Sequence, residues 1–266
     1  MALTLPQLGF GTFQIPPEET AEAVGLALDA GYRHVDTAAA YRNERGVGEA
    51  IRASGIPRDE LWVTTKCWNS QQGREEARRA CEKSLERLGL DRIDLYLIHW
   101  PVPSRDRYVE TWETFAELQR EGLVREIGVS NFQPAHLERI VAATGVTPAV
   151  NQVELHPYLQ QAELRAEHDR RGITTESWSP LAQGAVLDDP VITGIAEAHG
   201  RTAGQVVIRW HLQLGCVVIP KSVTRSRIAE NVAVDDFELT GDEMAAIEAL
   251  DRGQRIGPDP DEFDVT

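Results

Sequence analysis

The stretch "LWVTTKCWNSQQGREEARRACEKSLERLGLDRIDLYLIH", residues 61–99, contains one full unit of the pattern that runs through the chain. Residues 61–66 and 93–99 are nearly continuous apolar runs, which is how parallel strands read when both faces of the sheet are buried. Between them, the six non-charged residues of 75–88 recur three or four positions apart, and charged residues fill the other positions. The stretch therefore predicts a strand, an amphipathic helix and a second strand.

The same alternation continues in both directions from this unit. Strand-like runs occur at 8–11, 34–38, 61–66, 93–99, 126–130, 149–154, 174–179 and 216–221. Helical patterns separate them, and two such patterns, at about 191–199 and 203–213, share the gap before the last strand. Eight strands alternating with helices predict a single (β/α)₈ TIM barrel domain over residues 1–266.

Two features follow the eighth strand and its helix. The segment 240–251 opens with Thr240 three residues before Glu243, a capping box that predicts an added C-terminal helix. The Pro- and Asp-rich segment 257–266 predicts a short non-helical tail. A doubly wound open sheet is the alternative fold, but "GFGTFQ" at 9–14 has two glycines where its usual fingerprint has three.

Composition narrows the class of protein. The chain has 266 residues and a net charge of −15, so we expect no nucleic-acid partner. No apolar run approaches the roughly 20 residues that span a bilayer, and the first residues do not resemble a secretory signal. The three cysteines show neither a CxxC pair nor metal-ligand spacing, which favours a reducing compartment. We therefore expect a cytoplasmic protein with no membrane partner and no metal.

Four reactive residues fall where three neighbouring strands end. Asp36 and Tyr41 follow strand two, Lys66 ends strand three and His99 ends strand four. Each has an ordinary explanation by itself: a loop cap, a packing aromatic, a solvated lysine and a core histidine. Together they favour a site, because barrel enzymes carry their chemistry at the C-terminal ends of the strands.

These four residues suit the protonation of a carbonyl oxygen. A phenol has a pKa near ~10, and a neighbouring ammonium lowers it. Asp36 can supply the counter-charge that a buried Lys66 needs, and His99 can donate a hydrogen bond to an oxygen facing Tyr41. General acid help of this kind gives roughly 10²–10⁴-fold acceleration. Because no side chain carries a hydride, reduction would require a cofactor.

Later strands offer groups for that cofactor. Ser130, Asn131 and Gln152 present hydroxyl and amide groups that suit a carboxamide, and the Trp178 indole could stack on a flat ring. The alternatives are a turn for Ser130 and Asn131 and core packing for Trp178.

A basic segment follows strand eight. Lys221, Arg225 and Arg227 lie within seven residues of an otherwise acidic chain, at a position where barrels commonly bind phosphate. The guanidinium of Arg227 suits a terminal phosphate, which favours NADP over NAD. The alternative is a solvated basic turn.

The motifs that carry these residues resemble those of the aldo-keto reductase family. "HVDTAAAYRNERGVGEAI", "TTKCW", "LYLIHWP", "GVSNF", "VNQVELHP" and "IPKSVTRSRIAEN" occur in the family's order and span nearly the whole chain. Within the family, Trp178 in "ESWSPLAQG" and the brief tail are most similar to bacterial 2,5-diketo-D-gluconic acid reductases.

The resemblance implies NADP(H) lying extended across the barrel mouth, and a monomer that reduces an aldehyde, a ketone or a keto-sugar acid such as 2,5-diketo-D-gluconate. Tyr41 would be the proton donor, Lys66 and Asp36 would tune it, and His99 would orient the substrate. The implied cofactor-binding residues are Ser130, Asn131, Gln152, Trp178, Ser179, Leu181, Gln183, Lys221, Ser222, Val223, Arg227, Glu230 and Asn231. The implied substrate-binding residues are Phe13, Trp68, His99 and Trp100.

Two other functions compete with this one. A metal-dependent barrel hydrolase would need several histidines and carboxylates on one rim, and the sequence has no H-x-H or H-E-x-x-H motif. A non-catalytic NADP-binding sensor would need no proton donor, and the intact set of Asp36, Tyr41, Lys66 and His99 favours an enzyme.

Overall fold

The computed structural model describes residues 5–266. Its eight strands form one parallel sheet in which each strand pairs with the next along the chain. The strands are β1 (Phe10–Gly11), β2 (His34–Asp36), β3 (Trp62–Cys67), β4 (Ile93–Ile98), β5 (Val124–Ser130), β6 (Val150–Glu154), β7 (Thr174–Trp178) and β8 (Val217–Val218). A parallel bridge between Leu8 and Val218 joins the last strand to the first. The predicted (β/α)₈ barrel is therefore confirmed.

Helices follow the strands and pack outside them. They are α1 (Pro17–Asp29), α2 (Glu44–Ser54), α3 (Arg74–Leu88), α4 (Tyr108–Arg120), α5 (Pro134–Thr144), α6 (Ala162–Arg171), α7 (Pro190–His199), α8 (Ala203–Gln213), α9 (Arg225–Val232) and α10 (Gly241–Glu248). Both helices predicted between β7 and β8 are present. The added helix α10 begins at the predicted capping box of Thr240 and Glu243, and the tail contains no helix.

The predicted apolar stripe of α3 faces the core. All six of its non-charged residues are buried: Ala77, Ala80, Cys81, Ser84, Leu85 and Leu88. Helix α2 approaches this stripe very closely, because a side chain at Gly48 would place its Cβ 2.0 Å from the Leu88 carbonyl oxygen. A stripe of small and apolar residues thus sets how the outer helices pack.

Strand ends differ from the prediction where proline or loop geometry intervenes. The eighth strand was expected over 216–221, but β8 contains only Val217 and Val218. Pro220 has no N–H to donate, and its carbonyl instead accepts from Gly11 N at 3.1 Å. The first strand is also shorter than the predicted 8–11 and contains only Phe10 and Gly11. The barrel closes here through a few loop hydrogen bonds.

No helix between residues 5 and 266 is long and apolar enough to cross a membrane. Cys67, Cys81 and Cys216 are buried and unpaired. Burial raises the pKa of all three thiols, that of Cys216 to about 11, so these cysteines are protonated core residues.

Candidate active site

Lys66 is fully buried at the C-terminal end of β3. Its Nζ donates to Asp36 Oδ1 at 2.6 Å and to the Thr37 carbonyl oxygen at 2.9 Å. Burial by itself lowers the pKa of Lys66, but the Asp36 carboxylate raises it, and the net change is upward. The lysine is therefore a charged, paired group inside the barrel mouth, because a buried ammonium needs such a partner.

Tyr41 lies directly above this ion pair. It ends the short helical turn Ala39–Tyr41, and the Lys66 Nζ lies 5.1 Å from the centre of its ring. Burial raises the pKa of Tyr41, the Lys66 charge lowers it, and burial has the larger effect. The sequence predicts that the Lys66 charge lowers the pKa of Tyr41, and it does, but burial raises this pKa by more. The phenol is consequently protonated at neutral pH and has a proton to give.

His99 completes the group that the sequence predicts. Its ring lies edge-on to Tyr41, with 5.7 Å between ring centres. Burial, and then the Lys66 charge, hold the pKa of His99 well below its usual range, so the imidazole is neutral. Its Nδ1 is buried and finds no hydrogen-bond partner within residues 5–266. Nε2 is therefore the ring nitrogen left for a ligand.

A hydrogen-bonded chain links the ion pair to β5, β6 and β7. The Trp178 indole N–H donates to Asn131 Oδ1 at 2.8 Å, and Asn131 Nδ2 donates to Ser130 Oγ at 3.0 Å. Ser130 Oγ donates to the Gln152 carbonyl oxygen, and Gln152 Nε2 donates to Asp36 Oδ2 at 2.8 Å. The sequence places these residues at one rim, and the structure brings them into one connected network.

Aromatic rings flank the proton-donating groups. Phe13 lies 5.1 Å from Tyr41 between ring centres and is half exposed, while Trp68 lies 5.1 Å from His99. Trp100 differs from Phe13 and Trp68, because it is buried, with only 7% of it exposed. Its ring packs at 4.4 Å against Phe263 of the tail. Sequence reasoning did not identify Phe263, since the tail has no periodic pattern.

The tail crosses the barrel mouth and is held there by main-chain contacts. The backbone N–H groups of Ile256 and Gly257 donate to the Glu154 carboxylate at 2.6 and 3.0 Å. Near the other end, Asn69 Nδ2 donates to the Val265 carbonyl oxygen at 2.7 Å. Glu154 was missed from the sequence, although a charged residue ending a buried strand was an available signal.

The basic segment lies on the loop after β8 and the first turn of α9. Lys221, Arg225 and Arg227 are exposed, and none of them forms an ion pair within the described part of the chain. Most other arginines of this acidic protein contact a carboxylate. Three unpaired cations at a helix start form a site that suits an anion.

The remaining predicted cofactor residues lie on either side of this segment. Ser222 is buried and Val223 exposed on the loop, while α9 carries an exposed Glu230 and a buried Asn231. The turn after β7 contains Ser179 and Gln183, both at positive φ (49° and 53°), with Leu181 between them. Backbone strain of this kind is concentrated at functional sites.

No group of three or more His, Cys, Asp or Glu side chains in residues 5–266 is arranged to hold a metal ion. The arrangement instead offers a phenol, an ammonium–carboxylate pair and a neutral imidazole beside an anion-binding loop. Such a set can protonate an oxygen atom next to a bound phosphate-bearing cofactor.

The sequence model described as "Aldo/keto reductase family" matches residues 7–252, and the chain belongs to this family. It is therefore an oxidoreductase that acts on carbonyl groups. A protein named aldo-keto reductase from Mycolicibacterium smegmatis is 56% identical over 263 residues, covering 99% of this chain and 96% of the relative. Methylglyoxal reductase DkgA of Escherichia coli K12 is 55% identical over 261 residues, covering 97% and 94%.

Solved structures resemble the whole barrel. The crystal structure of the Gox0644 D53A mutant in complex with NADPH has 52% sequence identity and a TM-score of 0.94, covering 97% of this chain and 94% of that one.

Proposed function

We propose that this protein reduces a small carbonyl compound to an alcohol with NADPH, using Tyr41 as the proton donor. The observation that carries the proposal is the buried ion pair of Lys66 and Asp36 beneath Tyr41, at the mouth of the barrel. A family member with this pair in place has both the acid and the charge that supports it.

The side chains divide the work on the substrate oxygen. His99 donates from Nε2 to the carbonyl oxygen and fixes its position beside the Tyr41 hydroxyl. As negative charge develops on that oxygen, Tyr41 gives it a proton, and the Lys66 ammonium stabilises the phenolate left behind. Asp36 keeps Lys66 in place and charged. Nicotinamide, when bound, supplies the hydride to the carbonyl carbon.

The residues on the rim fit a nicotinamide nucleotide. Both Asn131 N–H groups are used, on His99 O and Ser130 Oγ, while among residues 5–266 Oδ1 accepts only from Trp178. Gln152 likewise donates both N–H groups to carboxyl oxygens. Each amide therefore offers its oxygen to the NH₂ of a carboxamide, and the Trp178 ring offers a flat apolar face.

The loop after β8 fits the other end of the nucleotide. Lys221, Ser222 and Arg227 would hold the 2′-phosphate, with Glu230 and Asn231 beside the adenine. Ser179, Leu181, Gln183 and Val223 would line the path between the two ends. The three unpaired cations favour NADPH over NADH, since only NADPH carries the additional phosphate.

Methylglyoxal, or a similarly small neutral dicarbonyl, is the substrate that we favour. Relatives that are 55% identical bear the name methylglyoxal reductase. The tail over the mouth contains Asp259, Asp261, Glu262 and Asp264, which would repel an anionic substrate such as 2,5-diketo-D-gluconate. Phe13, Trp68 and Trp100 provide apolar walls around the reacting carbonyl.

The Tyr41→Phe variant tests the role of the phenol. We expect its turnover of methylglyoxal to fall by roughly 10²–10⁴-fold, because only the transferable proton is removed. The affinity for NADPH, measured by the quenching of tryptophan fluorescence, should stay unchanged. The Tyr108→Phe variant removes a phenol from α4 and serves as the control with normal turnover. Near-normal turnover by Tyr41→Phe would contradict the proposed role.

A panel of carbonyl compounds tests the function itself. Methylglyoxal, 2,5-diketo-D-gluconate, a β-keto ester and an aromatic aldehyde are each supplied with NADPH and then with NADH, and loss of cofactor absorbance is measured. The non-catalytic sensor is the correct alternative if NADPH binds tightly and no carbonyl is reduced. A metal-dependent hydrolase would instead lose its activity in the presence of a strong chelator.

A further inference from the structure

Glu176 lies in the middle of β7 and is completely buried inside the barrel. One amide group connects it to the catalytic ion pair. Gln152 Nε2 donates to Asp36 Oδ2 at 2.8 Å and to Glu176 Oε2 at 2.9 Å, which uses both of its N–H groups. Two carboxyl groups are therefore joined through a single side chain, and Glu176 has no role in the mechanism described so far.

The charges in this interior do not balance if both carboxyl groups are ionised. Within residues 5–266, Lys66 is the only ammonium near them, and its Nζ lies 2.6 Å from Asp36 Oδ1. An ionised Glu176 would add an uncompensated negative charge to a dry interior, which is costly. Because Asp36 holds the ammonium directly, Glu176 is the carboxyl group that keeps a proton.

The surroundings of Glu176 on other strands agree with this assignment. His34 Nε2 on β2 lies 3.6 Å from Glu176 Oε1, but burial, and then the Lys66 charge, lower the pKa of His34 to about 3, so its ring is neutral. Within residues 5–266, Oε1 accepts no hydrogen bond. Val217, its register partner on β8, does not titrate. Burial, and then the Asp36 charge, raise the pKa of Glu176 to about 8.

We propose that Glu176 is a positioning residue for Tyr41, Lys66 and Asp36, acting in its neutral acid form through Gln152. This inference rests on the carbonyl reduction proposed above. The neutral acid accepts the Gln152 hydrogen bond and leaves the Lys66 charge to Asp36 and Tyr41. The ionised form adds to burial in raising the pKa of Tyr41, which weakens the proton donor. Reduction should therefore slow as pH rises through the titration of Glu176.

Two substitutions separate the hydrogen bond from the charge. Glu176→Leu keeps an apolar volume and removes the acceptor for Gln152, so we expect kcat/KM at pH 6.5 to fall roughly 10- to 100-fold through misplacement of the ion pair. Glu176→Gln presents a carbonyl oxygen and an N–H donor, as the neutral acid does, so it should restore most of that rate. The rate of Glu176→Gln should also stay constant near pH 8, where we expect the rate of the wild type to decline.

Several results would overturn the proposal. A Gln variant as slow as the Leu variant would mean that a carboxylate is needed, and an unchanged alkaline decline in the Gln variant would assign that decline to another group. Asp94→Asn is the control, because Asp94 is a buried carboxyl group paired with Arg58 at the other end of the barrel. This variant should keep the wild-type pH profile, and its losing the decline would also overturn the proposal.

A measurement without turnover distinguishes this inference from the proposed function. In protein labelled with ¹³C at the glutamate carboxyl carbons, one NMR signal should titrate near pH 8 and be absent from Glu176→Gln. Titration of every glutamate below pH ~6 would refute the assigned neutral form. If the wild type reduces no carbonyl, the proposed function fails, while this titration still decides the state of Glu176. It also decides the matter if Glu176→Leu does not fold.

Discussion

The lower and upper halves of the barrel interior are lined by the same strands but have opposite chemistry. Toward the N-terminal ends of the strands, in the lower half, Trp62 and Val150 form an apolar cluster with Leu95, and Leu97 extends this cluster to the register of Lys66. Four residues after Trp62, β3 contributes Lys66, and two residues after Val150, β6 contributes Gln152. Because alternate residues of a strand face the same side, a short step along the chain moves from hydrocarbon to an ionic network.

The apolar half supports the ionic half physically. It fills the interior beneath Lys66 and keeps water away from it, and the resulting low dielectric strengthens the attraction between Lys66 and Asp36. The packing there is close: a Cβ at Gly128 would lie 2.7 Å from Leu97 Cδ2. Apolar packing thus lies below and the charged groups lie above, so substitutions in each half should have separable effects.

The largest effect should come from Lys66→Met in the upper half. This change removes the ammonium while keeping a long side chain, so Asp36 loses its partner and Tyr41 loses the charge that stabilises its phenolate. We expect turnover to fall by roughly 10²–10⁴-fold with the fold retained. Stopped-flow measurement of turnover, together with circular dichroism, checks this result. An unchanged pH–rate profile would show that Lys66 does not tune the proton donor.

The second largest effect should be a loss of folding stability caused by a substitution in the lower, apolar half. Leu95→Ala leaves a cavity in the apolar cluster and should lower the free energy of unfolding by about 2–5 kcal/mol. Turnover per folded molecule and its pH dependence should both stay close to those of the wild type. Urea denaturation and the pH–rate profile are the two measurements. A shifted pH profile would mean that the two halves are not separable.

The sequence predicts the elements well where one local rule applies. Parallel strands buried on both faces read as apolar runs, so all eight strands were found, and the α3 stripe from Ala77 to Leu88 was correct at every residue. Strand ends were less accurate, because the length of β8 depends on Pro220 and on its contact with Gly11 from the other end of the chain.

The candidate site was predictable where the barrel geometry fixes it. Asp36, Tyr41, Lys66 and His99 were placed together because the ends of parallel strands meet at one rim. Glu176 was not found, because its partners come from strands far away in sequence and nothing local distinguishes it from a surface glutamate. The net pKa of Tyr41 was also not predictable, since burial decides its direction.

The smallest predicted effect extends the comparison from buried to exposed charge. Arg227 is exposed and has no ion-pair partner in the described part of the chain, so its interactions are screened by salt in a way that those of Lys66 are not. Arg227→Ala should weaken NADPH binding about tenfold at low ionic strength, because a hydrogen bond to a charged group contributes about that much to affinity. NADH binding should stay unchanged, since NADH lacks the 2′-phosphate.

Titration of both cofactors at low and at high salt checks this prediction. The difference in NADPH affinity between wild type and Arg227→Ala should narrow as salt increases. The loss of turnover in Lys66→Met should not change with salt. Lys83→Ala, on α3, is the matched control, because it removes an exposed cation that is not on the loop after β8 or on α9. Equal losses of NADPH and NADH affinity in Arg227→Ala would place Arg227 away from the 2′-phosphate, and an effect independent of salt would mean that the cofactor buries it.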